Sequence, residues 1–509
     1  MRVRGSDSEE RPGSGRLRGN DTNVIPGTGA LFVMQDTRWD HGLKVTADGH
    51  GLAGHAGAVL LRKLADQCGL TAALEPALAR SGKSPLLDRG MVLVSAAIVI
   101  ALGAASMSDI AVLSHLAPVL GAAPSDTTAR RTLELADPRT LSKIAQARTR
   151  VRRHVWSLIA ERPGGFPWLA VAGKTLTGWL VIDMDATLVT AHSGKQGAAP
   201  TYKKGFGFHP LGAWLANTRE CLAMLLRPGN AGSNTVADHI EVLAAAIAQV
   251  PARMRRRLLV RVDGAGASHE LIGHLLSLAS PRRTVLFTCG WMITPAGEDA
   301  IKMLPASAWQ PGLAQDGKVQ EDKHVAGITG LMTRAGKWPG GLRWIVRRTK
   351  PSRRQMKNLT AYEKKTGWRY SITCTNIPGT GIPGVPGSHH SQFIDVTHRE
   401  HAIVEDGVRN AKAMGLRNLP SRTWTVNCGW VLAANIAADL AAWSRLLGLH
   451  DCGGLQDAEP DTLRYRIWHI PARLVRHARQ RVLKISPDWP WKDAFLACWQ
   501  RLCALPAPA

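Results

Sequence analysis

Val181-Ile182-Asp183-Met184-Asp185-Ala186-Thr187 places two acids on an apolar, β-branched run. A short run of this kind reads as a buried strand. Leu258-Leu259-Val260-Arg261-Val262-Asp263-Gly264 ends in the same way, with an acid followed by glycine. Open α/β sheets build their sites beyond the carboxyl ends of their strands, where both acids would stand. A third stretch, Thr397 to Gly415, reads THREHAIVEDGVRNAKAMG. Its His398, His401, Glu405 and Lys412 share one face of a helix that turns about 100° per residue. Ala402, Ile403, Val404 and Val408 supply apolar surface, and Gly415 is a suitable stop. By itself this stretch also reads as a solvated amphipathic helix. Together with the two strand ends it reads as a site: Asp185, Asp263 and Glu405 can hold two magnesium ions through oxygen ligands. Asp183, two residues before Asp185, points to the same side of a strand and is the alternative ligand.

The composition agrees with a polyanionic partner. The chain has 509 residues, with 64 Lys plus Arg against 39 Asp plus Glu, a formal charge of +25. Such an excess favours nucleic acid. The eight cysteines are scattered without C-x-x-C spacing, which argues against a zinc ribbon or a disulfide framework and suits a reducing cytoplasm. The run from Met91 to Met107 is apolar but short of the roughly 20 residues a spanning helix needs, so it reads as a core helix. No membrane partner is expected.

The longer stretches around these acids are VIDMDATLVTAHSGKQGAAPTYKKGFGFHPL from Val181 and VRVDGAG from Val260. With the helix from Thr397, they resemble bacterial insertion-sequence transposases of the DDE class. The glutamate helix is similar to the signature Y-x-x-R-x-x-x-E-x6-K, and the chain is most similar to the insertion sequence thirteen-eighty family. Glu405 and Lys412 fit the signature, whereas His398 stands where the group has Tyr and His401 where it has Arg. The resemblance implies a ribonuclease-H-like α/β core with Asp185, Asp263 and Glu405 as catalytic metal ligands. It implies two Mg2+ ions, with Mn2+ able to substitute. It further implies cleavage and strand transfer at terminal inverted repeats, double-stranded DNA as element end and target, and a homodimer in the synaptic complex. The expected location is the bacterial cytoplasm, at the nucleoid. Two alternatives share the fold: a catalytically inactive DNA-binding protein and a magnesium-dependent nuclease.

Along the chain, residues 1–40 read as a disordered tail and 41–165 as a helical DNA-binding domain. Arg148, Arg150, Arg152, Arg153 and His154 form a basic stripe in that domain. Residues 166–291 follow the order β-β-β-α-β-α-β and form the first part of the core. Lys203 and Lys204 lie between its first strands and are candidate phosphate contacts, as are His398, His401 and Lys412. Residues 292–396, rich in Pro, Gly and Trp, read as a β-rich insertion before the glutamate helix. Arg347 and Arg348 open a basic run there that would face DNA, and Trp309, Trp338, Trp344 and Trp368 are candidate base platforms. Residues 397–450 return to the core with the glutamate helix and a buried helix. Residues 451–509 are a basic C-terminal region to which no element is assigned before Phe495.

Overall fold

Among the described residues, nine strands hydrogen-bond into one mixed sheet. They are β1 (Leu180–Ala186), β2 (Leu211–Leu215), β3 (Glu220–Leu225), β4 (Arg257–Val262), β5 (Thr284–Trp291), β6 (Gln310–Leu313), β7 (Val319–Gly327), β8 (Arg343–Thr349) and β9 (Arg369–Thr375). A computed structural model describes residues 44, 46, 48–80, 86–192, 194–232, 235–264, 266–291, 293–332 and 338–508. The tail expected over 1–40 lies outside the described residues. The chain divides into Met1–His50 and Gly51–Ala509, and every element named here belongs to the second unit.

The order across the sheet is β6-β7-β8-β9-β5-β4-β1-β2-β3. β4 runs parallel to both β1 and β5, and the remaining pairs are antiparallel. Parallel neighbours need crossovers, which α6 (Val236–Gln249) and α7 (His269–Ser277) supply in the order read from sequence. The strands between the core and the glutamate helix extend this same sheet: β9 pairs with β5, beside the strand that leads to Asp263. The expected second strand is divided, since Phe206–Phe208 joins a small separate sheet before β2 begins.

Alternation along β1 and β4 separates two cores. Leu180, Ile182 and Met184, with Leu258, Val260 and Val262, enter the larger core. Val181 and Leu259 enter a smaller one with Phe393, Ile394 and Val396 of α8 (Ser391–Arg399). A fully buried Leu or Ile contributes about 1.5–3 kcal/mol, so each face strongly specifies the strand register. The larger core continues into the N-terminal helices. There α3 (Arg89–Ala101), the heart of the apolar run, packs against the long helix α10 (Trp424–Trp443). No helix among the described residues is long and apolar enough to cross a membrane. All eight cysteines are unpaired.

The basic stripe divides on folding. Arg148 and Arg152 of the helix Pro138–Glu161 turn inward, while Arg150 and Arg153 stay exposed. Arg152 bonds Glu220 at 2.7 Å and both oxygens of Asp439 at 2.8 Å, and Arg148 reaches Asp439 at 2.7 Å. The indole nitrogens of Trp156 and Trp443 and the hydroxyl of Thr218 also donate to Glu220. Buried charges need such partners, so these two arginines join the N-terminal helices to β3 and α10.

Candidate active site

The sheet register sets two rows of charge side by side. Arg261 of β4 lies opposite Asp183 of β1, and Val262 opposite Met184. In the inner row Arg261 Nε and Nη2 donate to the two oxygens of Asp183 at 2.6 and 2.7 Å. Both residues are fully buried, and Asp183 is committed to this two-pronged pair. One row further, past the last paired residues, Asp185 follows Met184 and Asp263 follows Val262, and the two carboxylates lie within electrostatic reach of each other. Burial first, then repulsion by Asp263, raises the Asp185 carboxyl to about 6. Glu405 adds to the rise, while His401 and the amide of Ala186 oppose it. The Asp263 carboxylate accepts from the amide of Gly266 at 2.9 Å, which shapes the turn leaving β4.

The glutamate helix keeps helical dihedrals through its middle but tightens there. α8 ends at Arg399, a tight turn spans Glu400–Ala402, and α9 (Ile403–Ala411) carries Glu405. One turn before this stretch the carbonyl of Thr397 accepts from Arg261 Nη1 at 3.1 Å. His401 is buried, and its Nε2 donates to the carbonyl of Met184 at 3.0 Å. His398 shares a hydrogen bond with Thr288 Oγ1 at 3.2 Å. Its ring lies 6.4 Å from that of His401 and nearly parallel to it. Burial, then His401, Arg261 and Arg399, push His398 down to about 3, so it is neutral.

α9 rests on Trp214 through Gly407, where an added Cβ would lie 3.3 Å from the indole. Trp214 is register-paired with Asp183 and folds over Gly212, so it stands on the same face of the sheet as the acids. This seat holds Glu405, exposed and without an ion pair among the described residues, within electrostatic reach of Asp185. The neighbouring Asp406 instead pairs with Arg409 at 2.9 Å. Past α9 the chain widens over Lys412–Leu416 and turns at Gly415, whose φ of 92° favours glycine. A side chain there would also meet Ile100 at 2.9 Å.

Lys412 is half-buried beside this acid group. Burial lowers its pKa, Lys203 and Arg417 lower it further, and Asp185 opposes the shift. Lys203 and Lys204 are exposed, the latter with a left-handed φ of 60°. Arg347 and Arg348 sit in other surroundings on β8. Arg347 lies 3.7 Å from Asp395, and the guanidinium of Arg348 is wedged between Trp309 and Trp368, 4.3 and 4.7 Å from their ring centres. Trp338 and Trp344 pack with Trp291 and His269 near the turn after Asp263. Among the described residues no three His, Cys, Asp or Glu side chains are gathered closely enough to form a ready metal cage. The three acids therefore form an open group coupled by charge, with Lys412 at its margin.

Sequence reasoning passed over Arg261, Trp214, Gly407 and Thr288. A signal for Arg261 was present: R-x-D in 261–263 repeats the spacing of D-x-D in 183–185, and parallel register turns that match into a pair.

No curated protein matches the chain. A solved structure, a piggyBac transposase in a synaptic complex with hairpin DNA, is similar at 11% identity. The match covers 81% of this chain and 79% of that one, with a TM-score of 0.37. The sequence matches the family described as transposase DDE domain group 1 over residues 37–507. The strand-end aspartates, the glutamate helix and the helices packed around them all fall inside that match, and the chain belongs to this transposase family.

Proposed function

We propose that this transposase binds the terminal inverted repeats of its own insertion sequence, cleaves the DNA there and joins the ends to a target. The observation that carries the reading is the mutual repulsion of Asp185 and Asp263 at neighbouring strand ends, with Glu405 adding to it. The succession β3-β2-β1-β4-β5, with β1, β4 and β5 parallel, supports a ribonuclease-H-like core.

The donor set suits a hard divalent cation, Mg2+ or Mn2+: the three ligands are carboxylates, and their mutual repulsion is what such a charge relieves. When bound, such ions lower the pKa of the attacking water or 3′-hydroxyl and stabilise the leaving oxygen. Asp185 and Asp263 present their oxygens from fixed strand ends, and Glu405 closes the group from α9. Asp183 stays with Arg261 and keeps that guanidinium neutralised. Lys412 pairs with a non-bridging phosphate oxygen as a point charge, and Lys203 adds to the same field. His401 holds the end of β1 through Met184. An element has two ends, so two copies of the chain act together. The exposed Arg150 and Arg153 are candidate contacts to the DNA backbone.

The test is an incubation of the purified chain with duplexes carrying the DNA that flanks its coding region, with Mg2+ or Mn2+ present. Strand-transfer products, lost on Asp185→Asn, Asp263→Asn or Glu405→Gln, are the expected result. Cut DNA without joined product points to a nuclease, and binding without cutting to an inactive relative.

A further inference from the structure

The basic C-terminal region contains a ribbon that the site above does not use. Ala472–His477 and Gln480–Ile485, here β10 and β11, form a hairpin closed by the two-residue turn Ala478-Arg479. Its base is anchored: Leu52 and Ala53 pair with Arg473 and Ala472, and Leu483 and Ile485 pack on the larger core. Its outer part, from Arg476 through Arg481, is exposed.

Three features of this ribbon oppose its own stability. Arg473 lies directly across from Lys484, and Arg476 across from Arg481. Like charges in directly opposed positions repel. No acid occurs between Asp461 and Asp488 to relieve them, and none of the four forms an ion pair among the described residues, though Arg481 Nη1 donates to the carbonyl of Pro118 at 3.1 Å. The turn also requires left-handed backbone, with φ of 46° at Ala478 and 68° at Arg479. Asn-Gly is the usual choice there, because other side chains are strained in that conformation. A conflict among local preferences of this kind marks a place kept for something other than folding.

We propose that this ribbon enters the major groove of duplex DNA, an inference that rests on the transposase reading above. A two-stranded ribbon fits that groove. Side chains alternate across a ribbon, so Arg473 and Lys484 share the outer face, while Arg476 and Arg481 share the face on which Leu483 and Ile485 pack nearer the base. Phosphates along the groove supply the missing counter-charge to the outer face and the tip. The tip presents His477, Arg479 and Gln480, and Arg and Gln are the side chains that make two-pronged contacts to guanine and adenine edges.

The experiment measures binding of the full chain to duplexes carrying the element's flanking DNA and to scrambled duplexes across a salt series. In Arg473→Gln/Lys484→Gln, duplex affinity is expected to fall at least about tenfold at low salt. The slope of log affinity against log salt should become shallower by about 2, with no drop in melting midpoint. In Ala478→Asn/Arg479→Gly, the melting midpoint should rise while the preference for flanking over scrambled DNA falls. Wild-type affinity and slope in the first variant, with wild-type preference in the second, would overturn the ribbon's role. If the first variant melts early, the second, which relieves turn strain, decides alone. Failure of the transposase reading is separate: it appears as a wild-type chain that binds no duplex, which overturns both proposals, or as absent strand transfer with ribbon-dependent binding intact, which leaves the ribbon supported.

Discussion

His401 donates from Nε2 to the carbonyl of Met184 across 3.0 Å, and Met184 immediately precedes Asp185. The bond joins the turn that leads into α9 to the strand end it approaches. An imidazole that donates from Nε2 keeps Nδ1 unprotonated when neutral. The expected cost of His401→Ala is about 10–100-fold in cleavage rate, the range seen when groups that orient metal ligands are removed. His401→Arg should retain more activity, because a guanidinium can donate to the same carbonyl. Single-turnover rates at saturating Mg2+ measure both, and equal rates for wild type and His401→Ala would reduce His401 to packing.

Asp183→Asn and Asp185→Asn should fail in different ways. Removing the charge of Asp183 leaves Arg261 buried and unpaired, a loss of about 3–5 kcal/mol. Removing that of Asp185 relieves repulsion from Asp263, so stability should hold or rise while cleavage disappears. Urea unfolding and a cleavage assay on the same preparations separate them. A stable Asp183→Asn chain without activity, beside an active Asp185→Asn chain, would exchange their roles.

Glu405→Gln is expected to lose essentially all strand transfer, and Glu405→Asp most of it, with duplex binding preserved. Mg2+ holds its oxygen ligands near 2.1 Å, which leaves a shortened side chain out of reach. Asp406 is the control, because it points about 100° away on the helix and pairs with Arg409. Loss of strand transfer in Asp406→Asn but not in Glu405→Gln would shift the register of the third carboxylate.

His398 makes stability depend on pH. Its folded pKa of about 3 lies below the ordinary 6.5, chiefly through burial. Between those values the unfolded chain takes up a proton that the folded chain refuses. The contribution is whole above pH 6.5 and is lost as pH falls toward 3, amounting to about 2 kcal/mol at pH 5. His398→Gln should therefore lose less stability than wild type between pH 7 and pH 5 in urea unfolding. Parallel losses in the two chains would show that His398 is not the titrating group.

The two metal-site strands are legible in the sequence because an apolar run ending in an acid admits few other structures. The glutamate helix is legible in part. Its face can be read from spacing, but the tightened turn after Arg399 and the hydrogen bond from Arg261 to Thr397, residues far apart in the chain, cannot. The same limit hides the division of the arginine stripe. Arg148 and Arg152 have the spacing of a surface row, and only the positions of Asp439 and Glu220 turn them inward. Of the strands of residues 310–375, Gln310–Leu313 is not visible in the sequence and the other three are, yet their place depends on the free edge of β5, which no local pattern reveals. The ribbon escapes because its apolar positions are few and its turn lacks the glycine that would announce it.

A sheet of nine hydrogen-bonded strands is a stiff plate, and Asp185 and Asp263 ride on its middle. They act as fixed reference points. Glu405 rides on a short helix bounded by a tightened turn at one end and a glycine bend at the other. Mechanical compliance in the catalytic group is therefore concentrated in one of its three members. Whatever geometric tolerance is needed to accommodate successive DNA strands must come from the glutamate, while the aspartates keep the frame.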